Sequence, residues 1–371
     1  MEKMLFISNI SNRITNFAIP SIETAQRLGY EVHLAANYSK FNDNPDKYNV
    51  RIHNIDFNRN PFNIVNIKAY KQMIKLMKEE KFDFVHCNTP IGGIIGRLCA
   101  KKMGVRKIIY TAHGFHFYKG APFINRTVFK AVEKWLAQYT DALITITKED
   151  FNAAKEFSLR NKGKVYYVPG VGINRKDICN VSVNSDDILK EFEINSNNFI
   201  IISAGELNDN KNQEVIIKAL NKLNNPNIHY LVCGKGPKEE YLKKLTIEKK
   251  LENNVHFLGY RTDVIELMKS SNAFVMPSYR EGLSRSIMEA MACGLPIIAS
   301  KIRGNVDLVR EDINGFLIEP CNYHEMSKSI EKLINNYILC EKIKKNNIRD
   351  SSKYDTKVIK EFIERIYREV L

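Results

Sequence analysis

Short β-type apolar runs alternate with helical patterns along most of the chain, and the alternation occurs twice. In the first half Met4-Leu5-Phe6-Ile7, Val32-His33-Leu34-Ala35, Phe82-Asp83-Phe84-Val85-His86, Lys107-Ile108-Ile109-Tyr110-Thr111, Ala142-Leu143-Ile144-Thr145 and Val165-Tyr166-Tyr167-Val168 read as strands, with helices such as those from about Gly92 to Met103 and Phe123 to Gln138 between them. Strands separated by helices are joined by crossovers, so each series predicts a parallel sheet covered on both faces. From Gly170 to Asn198 the apolar content drops and Asn, Ser and Asp accumulate, which predicts a connection. The series restarts with Phe199-Ile200-Ile201-Ile202, Tyr230-Leu231-Val232-Cys233, Val255-His256-Phe257-Leu258, Ala273-Phe274-Val275-Met276, Ile297-Ile298-Ala299 and Gly315-Phe316-Leu317-Ile318.

The expectation is an α/β chain of two facing Rossmann-like domains with a cleft between them: residues 1–170, residues 171–350, and a C-terminal helix over 351–371 crossing back to the first. A length of 371 residues suits two domains at about 150 residues each. No apolar stretch approaches the roughly 18 to 20 residues of a membrane span, and the N-terminal apolar segment is too short for a signal peptide. Seven cysteines stand singly with no Cys-x-x-Cys pair, which predicts reduced thiols in a cytoplasm. A net charge of +14 asks for an acidic partner: nucleic acid, an anionic membrane surface or a phosphorylated substrate.

In such folds ligands bind beyond the C-terminal ends of the strands. The richest of these places is Met276 to Pro296, which reads strand, loop, helix, strand. Glu281 lies in the loop and Glu289 in the helix, with seven residues between them, and Gly282-Leu283-Ser284 offer backbone N–H groups at the helix start. Each acid also has a plainer reading. Ser286-x-x-Glu289 has the form of a capping box, and Glu281 could be a solvated acid favoured by the helix dipole.

The segment Glu281-Gly-Leu-Ser-Arg-Ser-Ile-Met-Glu289, continuing to Gly294-Leu295-Pro296, resembles the E-x7-E signature of retaining nucleotide-sugar glycosyltransferases of family 4, in the branch that builds capsular and exopolysaccharide repeat units. The resemblance implies the glycosyltransferase B fold, with acceptor binding by the first domain and nucleotide-sugar binding by the second. It implies that Glu281 contacts the transferred sugar, that Glu289 holds the ribose hydroxyls, and that Gly282, Leu283 and Ser284 meet the sugar and diphosphate through their backbone. It places Lys211 on the diphosphate, after the strand-end Gly205 and beside Asn212. The family often carries an arginine where this chain has Glu206, which leaves the second phosphate cation open, with Arg261, Arg280 or Arg285 as the candidates to substitute. Gly234 and Gly236 fit a nucleotide-facing loop, though a plain strand-to-helix turn explains them as well, and Arg261 corresponds to a residue lying against the base. His113 corresponds to the histidine that positions the donor sugar. His86, Asn88, Thr89, Gly92 and Gly93 resemble an acceptor-side motif.

The implied activity is that of a retaining, metal-independent hexosyltransferase moving a hexose or N-acetylhexosamine from a UDP-sugar, which is a substrate and not a cofactor, to a lipid-linked saccharide acceptor. No cofactor and no metal are expected. There is no Asp-x-Asp triplet to bridge a metal to the diphosphate. Basic amphipathic helices near Lys68–Lys78 (with Ile67, Tyr70, Ile74 and Met77 on the apolar arc) and Arg126–Lys134 suit an anionic membrane surface, and equally a solvated face. The implied location is cytoplasmic, peripheral at the inner face of the cell membrane. A nicotinamide dehydrogenase is excluded because Phe6 to Arg13 contains no glycine. The remaining alternative is a basic membrane- or nucleic-acid-binding protein without transferase activity, although no nucleic-acid-binding motif is present.

Overall fold

The two series of alternating elements become two parallel sheets in the computed structural model, which describes residues 1–15 and 17–371. The first holds β1 (Lys3–Ile10), β2 (Glu31–Asn37), β3 (Arg51–Asn54), β4 (Phe84–Asn88), β5 (Lys107–Ala112), β6 (Ala142–Thr145) and β7 (Lys164–Tyr167), in the order β3-β2-β1-β4-β5-β6-β7. The second holds β8 (Phe199–Ala204), β9 (Ile228–Cys233), β10 (Val255–Gly259), β11 (Ala273–Met276), β12 (Ile297–Ser300) and β13 (Gly315–Ile318), in the order β10-β9-β8-β11-β12-β13. Both orders reverse at one point, between β1 and β4 in the first sheet and between β8 and β11 in the second. In doubly wound folds such a switch point opens a crevice at the C-terminal edge of the strands, because the flanking connections leave in opposite directions.

The sheets belong to separate units, Met1–Gly172 with Thr356–Leu371, and Ile173–Asp355. The middle strands are apolar on both faces because both faces are covered. β4 is buried throughout. On one side of the first sheet Leu5, Ile7 and Val85 pack with Met73, Leu76 and Met77 of the helix Val65–Glu80. On the other, Met4, Phe6 and Phe84 pack with Ile359, Ile363, Ile366 and Tyr367 of the helix Thr356–Val370. The second sheet has its own core around Ile201, Tyr230, Val275 and Ile298.

Several local expectations change. The stretch from 170 to 198 contains two short helices, Arg175–Asn180 and Ser185–Lys190, both in the second unit. Asn174 caps the first by accepting from the Asp177 N–H, whereas Asn184, at the start of the second, makes no side-chain cap bond. β3 went unpredicted because Arg51-Ile52-His53-Asn54 is a half-exposed edge strand. The helix over Thr356–Val370 starts later than residue 351: Ser351–Tyr354 form a 3-10 turn in the second unit, whose Tyr354 carbonyl accepts from the Ile173 N–H at 2.9 Å. Ile67 points to solvent, leaving Ala69, Met73, Leu76 and Met77 as the buried stripe of its helix.

Candidate functional site

In the second unit the loops leaving β8 and β11 are fastened to each other at the switch point. Asn212, buried and in the left-handed region at φ 54°, donates through Nδ2 to the Pro277 carbonyl at 3.1 Å. Asn210 Nδ2 donates to the Arg280 carbonyl at 2.9 Å, and the Tyr279 N–H returns a bond to the Asn210 carbonyl at 2.8 Å. These bonds bring Lys211 Nζ to 2.7 Å from Glu281 Oε1, with 23% and 14% of the two side chains exposed. The lysine stem lies across Gly205, where a Cβ would stand 3.3 Å from Lys211 Cε. Ammonium and carboxylate thus meet partly shielded from water, and an incoming anion can take the ammonium from the carboxylate and leave the carboxylate free to accept hydrogen bonds.

The neighbouring glycines have a packing reason. A Cβ on Gly234 would lie 1.9 Å from the Gly205 carbonyl oxygen, and one on Gly236 would lie 2.3 Å from that of Leu207. Their absence lets the β8 and β9 loops run backbone to backbone, with Gly205 N–H donating to Cys233 O at 2.9 Å and Leu207 N–H to Lys235 O at 3.1 Å.

The helix carrying Glu289 is Arg285–Ala292, and its N-cap is Ser284, whose hydroxyl accepts from the Ile287 N–H at 3.4 Å. The Ser286–Glu289 capping box therefore does not form. Starting one residue beyond Ser284 puts Ser286 inside the first turn and Glu289 in the second, away from the cap. Glu289 pairs instead with Arg285 at 2.8 Å, and burial raises its pKa above the usual carboxylate value. Leu283 and Ser284 are buried, and the Gly282 carbonyl is pressed against Gly304, where a Cβ would stand only 1.6 Å away.

Arg261 is committed to two acids, Asp263 at 2.6 Å and Glu191 at 2.7 Å, which push its pKa up. Arg285 is held by Glu289, and Glu206 accepts from Asn208 Nδ2 at 2.9 Å. Arg280 and Lys235, whose side chain passes beside Gly259, have no ion pair among the described residues. Lys235 sits between Gly234 and Gly236, in a turn that a plain strand-to-helix connection also explains, so the sequence does not single it out.

In the first unit His113, just past β5, has Nε2 at 3.3 Å from Asn88 Oδ1 and packs edge-on against Phe17. Burial holds its pKa down to about 4, so the ring is neutral near pH 7. It lines a small cavity of about 30 Å³ together with Asn88, Thr111 and His86. His86 is fully enclosed, with Nε2 at 2.7 Å from Thr111 Oγ1 and Nδ1 at 2.6 Å from Tyr367 Oη, and burial lowers its pKa to about 3. It is a joint between β4, β5 and the C-terminal helix. Gly92 lets its helix approach the Ser8 backbone, and Gly93 makes room for the Tyr110 ring, which a Cβ would meet at 2.5 Å. Of His86, Asn88, Thr89, Gly92 and Gly93, Thr89 alone lines a larger groove, together with Pro90, Ile91 and Ile94.

Among the described residues one group has ligand atoms close enough for a metal, His33, His53 and Glu80 at the β2–β3 edge. Its atoms already have partners: the two rings are linked at 2.8 Å, His33 Nε2 is 3.0 Å from Glu31, and Lys3 lies 2.6 Å from Glu80. No helix among the described residues is long and apolar enough to cross a membrane. Lys68 of the first basic helix pairs with Asp56 at 2.7 Å, and Phe62, Ile64, Phe123 and Ile124 beside the two basic helices are exposed.

Residues 3–147 match the family model described as glycosyl transferase 4-like, and residues 184–350 the one described as glycosyl transferases group 1. The putative glycosyltransferase EpsD of Bacillus subtilis is 35% identical over 348 residues, covering 92% of this chain and 90% of the relative. UDP-Gal:alpha-D-GlcNAc-diphosphoundecaprenol alpha-1,3-galactosyltransferase of Escherichia coli is 31% identical over 267 residues, 70% of this chain and 68% of its own length. The crystal structure of Anabaena HepE in complex with UDP matches all of both chains with a TM-score of 0.79 at 20% identity, a likeness of fold.

Proposed function

The chain belongs to glycosyltransferase family 4 and has the glycosyltransferase B fold, and from that membership we propose that it moves a hexose or N-acetylhexosamine from a UDP-sugar to a lipid-diphosphate-linked saccharide in capsule, exopolysaccharide or related repeat-unit assembly. The observation that carries this reading is the Lys211–Glu281 pair on the loops after β8 and β11. The name of the Escherichia coli relative supports the substrate classes, since it specifies a UDP-linked galactose and a diphosphoundecaprenol acceptor.

In the proposed mechanism the donor's diphosphate takes Lys211 from Glu281, and the freed carboxylate accepts hydrogen bonds from the sugar hydroxyls. Lys235 or Arg280 supplies the second cation that Glu206 does not, and the start of the helix Glu214–Leu223 adds partial positive charge. Glu289 accepts from the ribose hydroxyls, Gly282, Leu283 and Ser284 contact the sugar and diphosphate through their backbone, and neutral His113 orients the sugar. The acceptor hydroxyl attacks the anomeric carbon on the face from which the phosphate departs. The sugar–phosphate bond breaks, a new glycosidic bond forms, and the departing phosphate oxygen takes the hydroxyl proton, giving retention without a metal. The reading needs no covalent intermediate, so the two glutamates hold substrate and do not act as a glycosidase pair.

The proposed place of action is the cytoplasmic face of the membrane, reached through the basic helices near Lys68–Lys78 and Arg126–Lys134. The deciding experiment incubates the protein with UDP- and GDP-sugars, with and without a lipid-linked acceptor, and measures nucleotide release. Consumption of a UDP-sugar that Glu281→Ala and Lys211→Ala abolish supports the reading; consumption of none sinks it.

A further inference from the structure

The switch point of the first sheet opens into a groove of about 390 Å³, lined by Asn9 and Ile10 from the end of β1, Thr89 just after β4, Ile94, Phe129 and Arg59. Its size falls in the range of roughly 300 to 1,000 Å³ usual for small-molecule sites, and most of its wall is apolar. Three features distinguish it from a gap between helices. Asn9 is 7% exposed and its Oδ1 has no hydrogen-bond partner among the described residues, although a buried acceptor ordinarily finds a donor. Arg59, at the groove and exposed, has no ion pair among the described residues. The acid on the wall, Glu133, is already neutralised by Arg97, a fully buried guanidinium 2.9 Å away that stacks on the Tyr110 ring at 3.8 Å. The positive charge of Arg59 is therefore the uncompensated one, beside an apolar wall and an acceptor that needs a hydroxyl or amide donor.

Resting on the transfer reaction above, we propose that this groove seats the lipid-proximal end of the acceptor. Its prenyl chain lies against Ile94 and Phe129, its phosphate meets Arg59, and a hydroxyl or amide of the first sugar donates to Asn9. An apolar chain, an anion and a hydrogen-bond donor on one molecule match the three features of the wall. A nucleotide has the anion without the chain, and a free sugar has the hydroxyl without either.

The test uses farnesyl diphosphate below its aggregation concentration as the probe, with no bilayer present, and reads binding by calorimetry. Inorganic pyrophosphate and farnesol separate the phosphate from the chain. The fluorescence of Trp135, the single tryptophan of the chain, gives a second signal, since it lies one helical turn beyond Val132 of the groove wall. The expected result is binding of farnesyl diphosphate at least tenfold tighter than of either fragment, weakened at least tenfold by Arg59→Ala and by Ile94→Ser. Pyrophosphate binding as tightly as farnesyl diphosphate, or both variants staying within twofold of the parent, overturns the proposal. Acceptor-independent nucleotide release from a UDP-sugar, measured on the same proteins, keeps the two ideas apart. If no UDP-sugar is consumed while the prenyl diphosphate still binds, the transfer reading falls and the groove remains a prenyl-phosphate site.

Discussion

Lys211 and Glu281 stand 70 residues apart in the chain and 2.7 Å apart in space. Each neutralises the other while the site holds no ligand, so neither cost of an unpaired, half-buried charge is borne. The pair also predicts unequal effects of its two removals. Lys211→Ala leaves a carboxylate facing an incoming diphosphate, and kcat/KM for the donor should fall by about 10²- to 10³-fold, the usual loss for a group holding transition-state charge. Glu281→Gln leaves the lysine free, so UDP alone should bind more tightly while turnover falls. Calorimetry with UDP and a nucleotide-release assay check both; UDP affinity lowered by Glu281→Gln would refute the exchange of partners.

Glu289 predicts a stability trade. Its folded pKa is raised, so the folded chain holds the proton more tightly than the unfolded chain. The stability from this group is fully present below the unfolded value of 4.5 and is lost as pH rises through the raised one. At neutral pH Glu289→Gln should therefore raise the melting temperature of the ligand-free protein while weakening UDP binding. A variant that melts lower and binds UDP normally would remove Glu289 from the site.

His86 and His113 predict acid sensitivity of the opposite sign. Burial depresses their folded pKa values to about 3 and about 4 from 6.5, so their contribution is complete above pH 6.5 and lost as pH falls below it. For enclosed His86 the slope is roughly 1.4 kcal/mol per pH unit. Trp135 fluorescence follows the first unit alone, and its urea midpoint should drop steadily from pH 6.5 toward pH 4. The acid limb of turnover should likewise show no step at 6.5 from His113.

Gly304 predicts a loss that spreads through backbone. It has φ 82°, and a Cβ would collide with the Gly282 carbonyl. Gly304→Ala should displace Gly282-Leu283-Ser284 and cut turnover at least tenfold while circular dichroism stays native-like. Unchanged kinetics would show that this loop does not hold the donor.

The exposed apolar residues beside the basic helices predict vesicle binding. Phe62→Ser with Ile64→Ser should lower sedimentation with anionic vesicles by about tenfold or more, since each side chain is worth about 1.5–3 kcal/mol when buried. Binding to neutral vesicles should be weak throughout. Equal binding by parent and variant would exclude this face.

The fold was legible because buried parallel strands are apolar on both faces, so Phe199 to Ile202 or Ile297 to Ala299 announce themselves without alternation. What stayed hidden was the edge and the polar. Arg51 to Asn54 forms a strand through backbone bonds to one neighbour, and Asn174 starts a helix from a stretch that reads as linker. At the site the residue types were readable, but the partner of Lys211 was not, because separation in sequence does not disclose which loops meet. Nor does spacing show that Ser284 takes the cap that the Ser286-x-x-Glu289 pattern predicts.

The helix Thr356–Val370 lies against a sheet whose seven strands all precede Gly172, with the whole second unit encoded in between. During synthesis the second unit is complete at Asp355, whereas the first, its apolar seam of Met4, Phe6 and Phe84 covered only in part by Ile22 and Ala25, must wait until its closing segment emerges. The enzyme should thus mature in reverse of its gene order. Chaperone dependence and sensitivity to C-terminal truncation should both concentrate on the unit that was translated first.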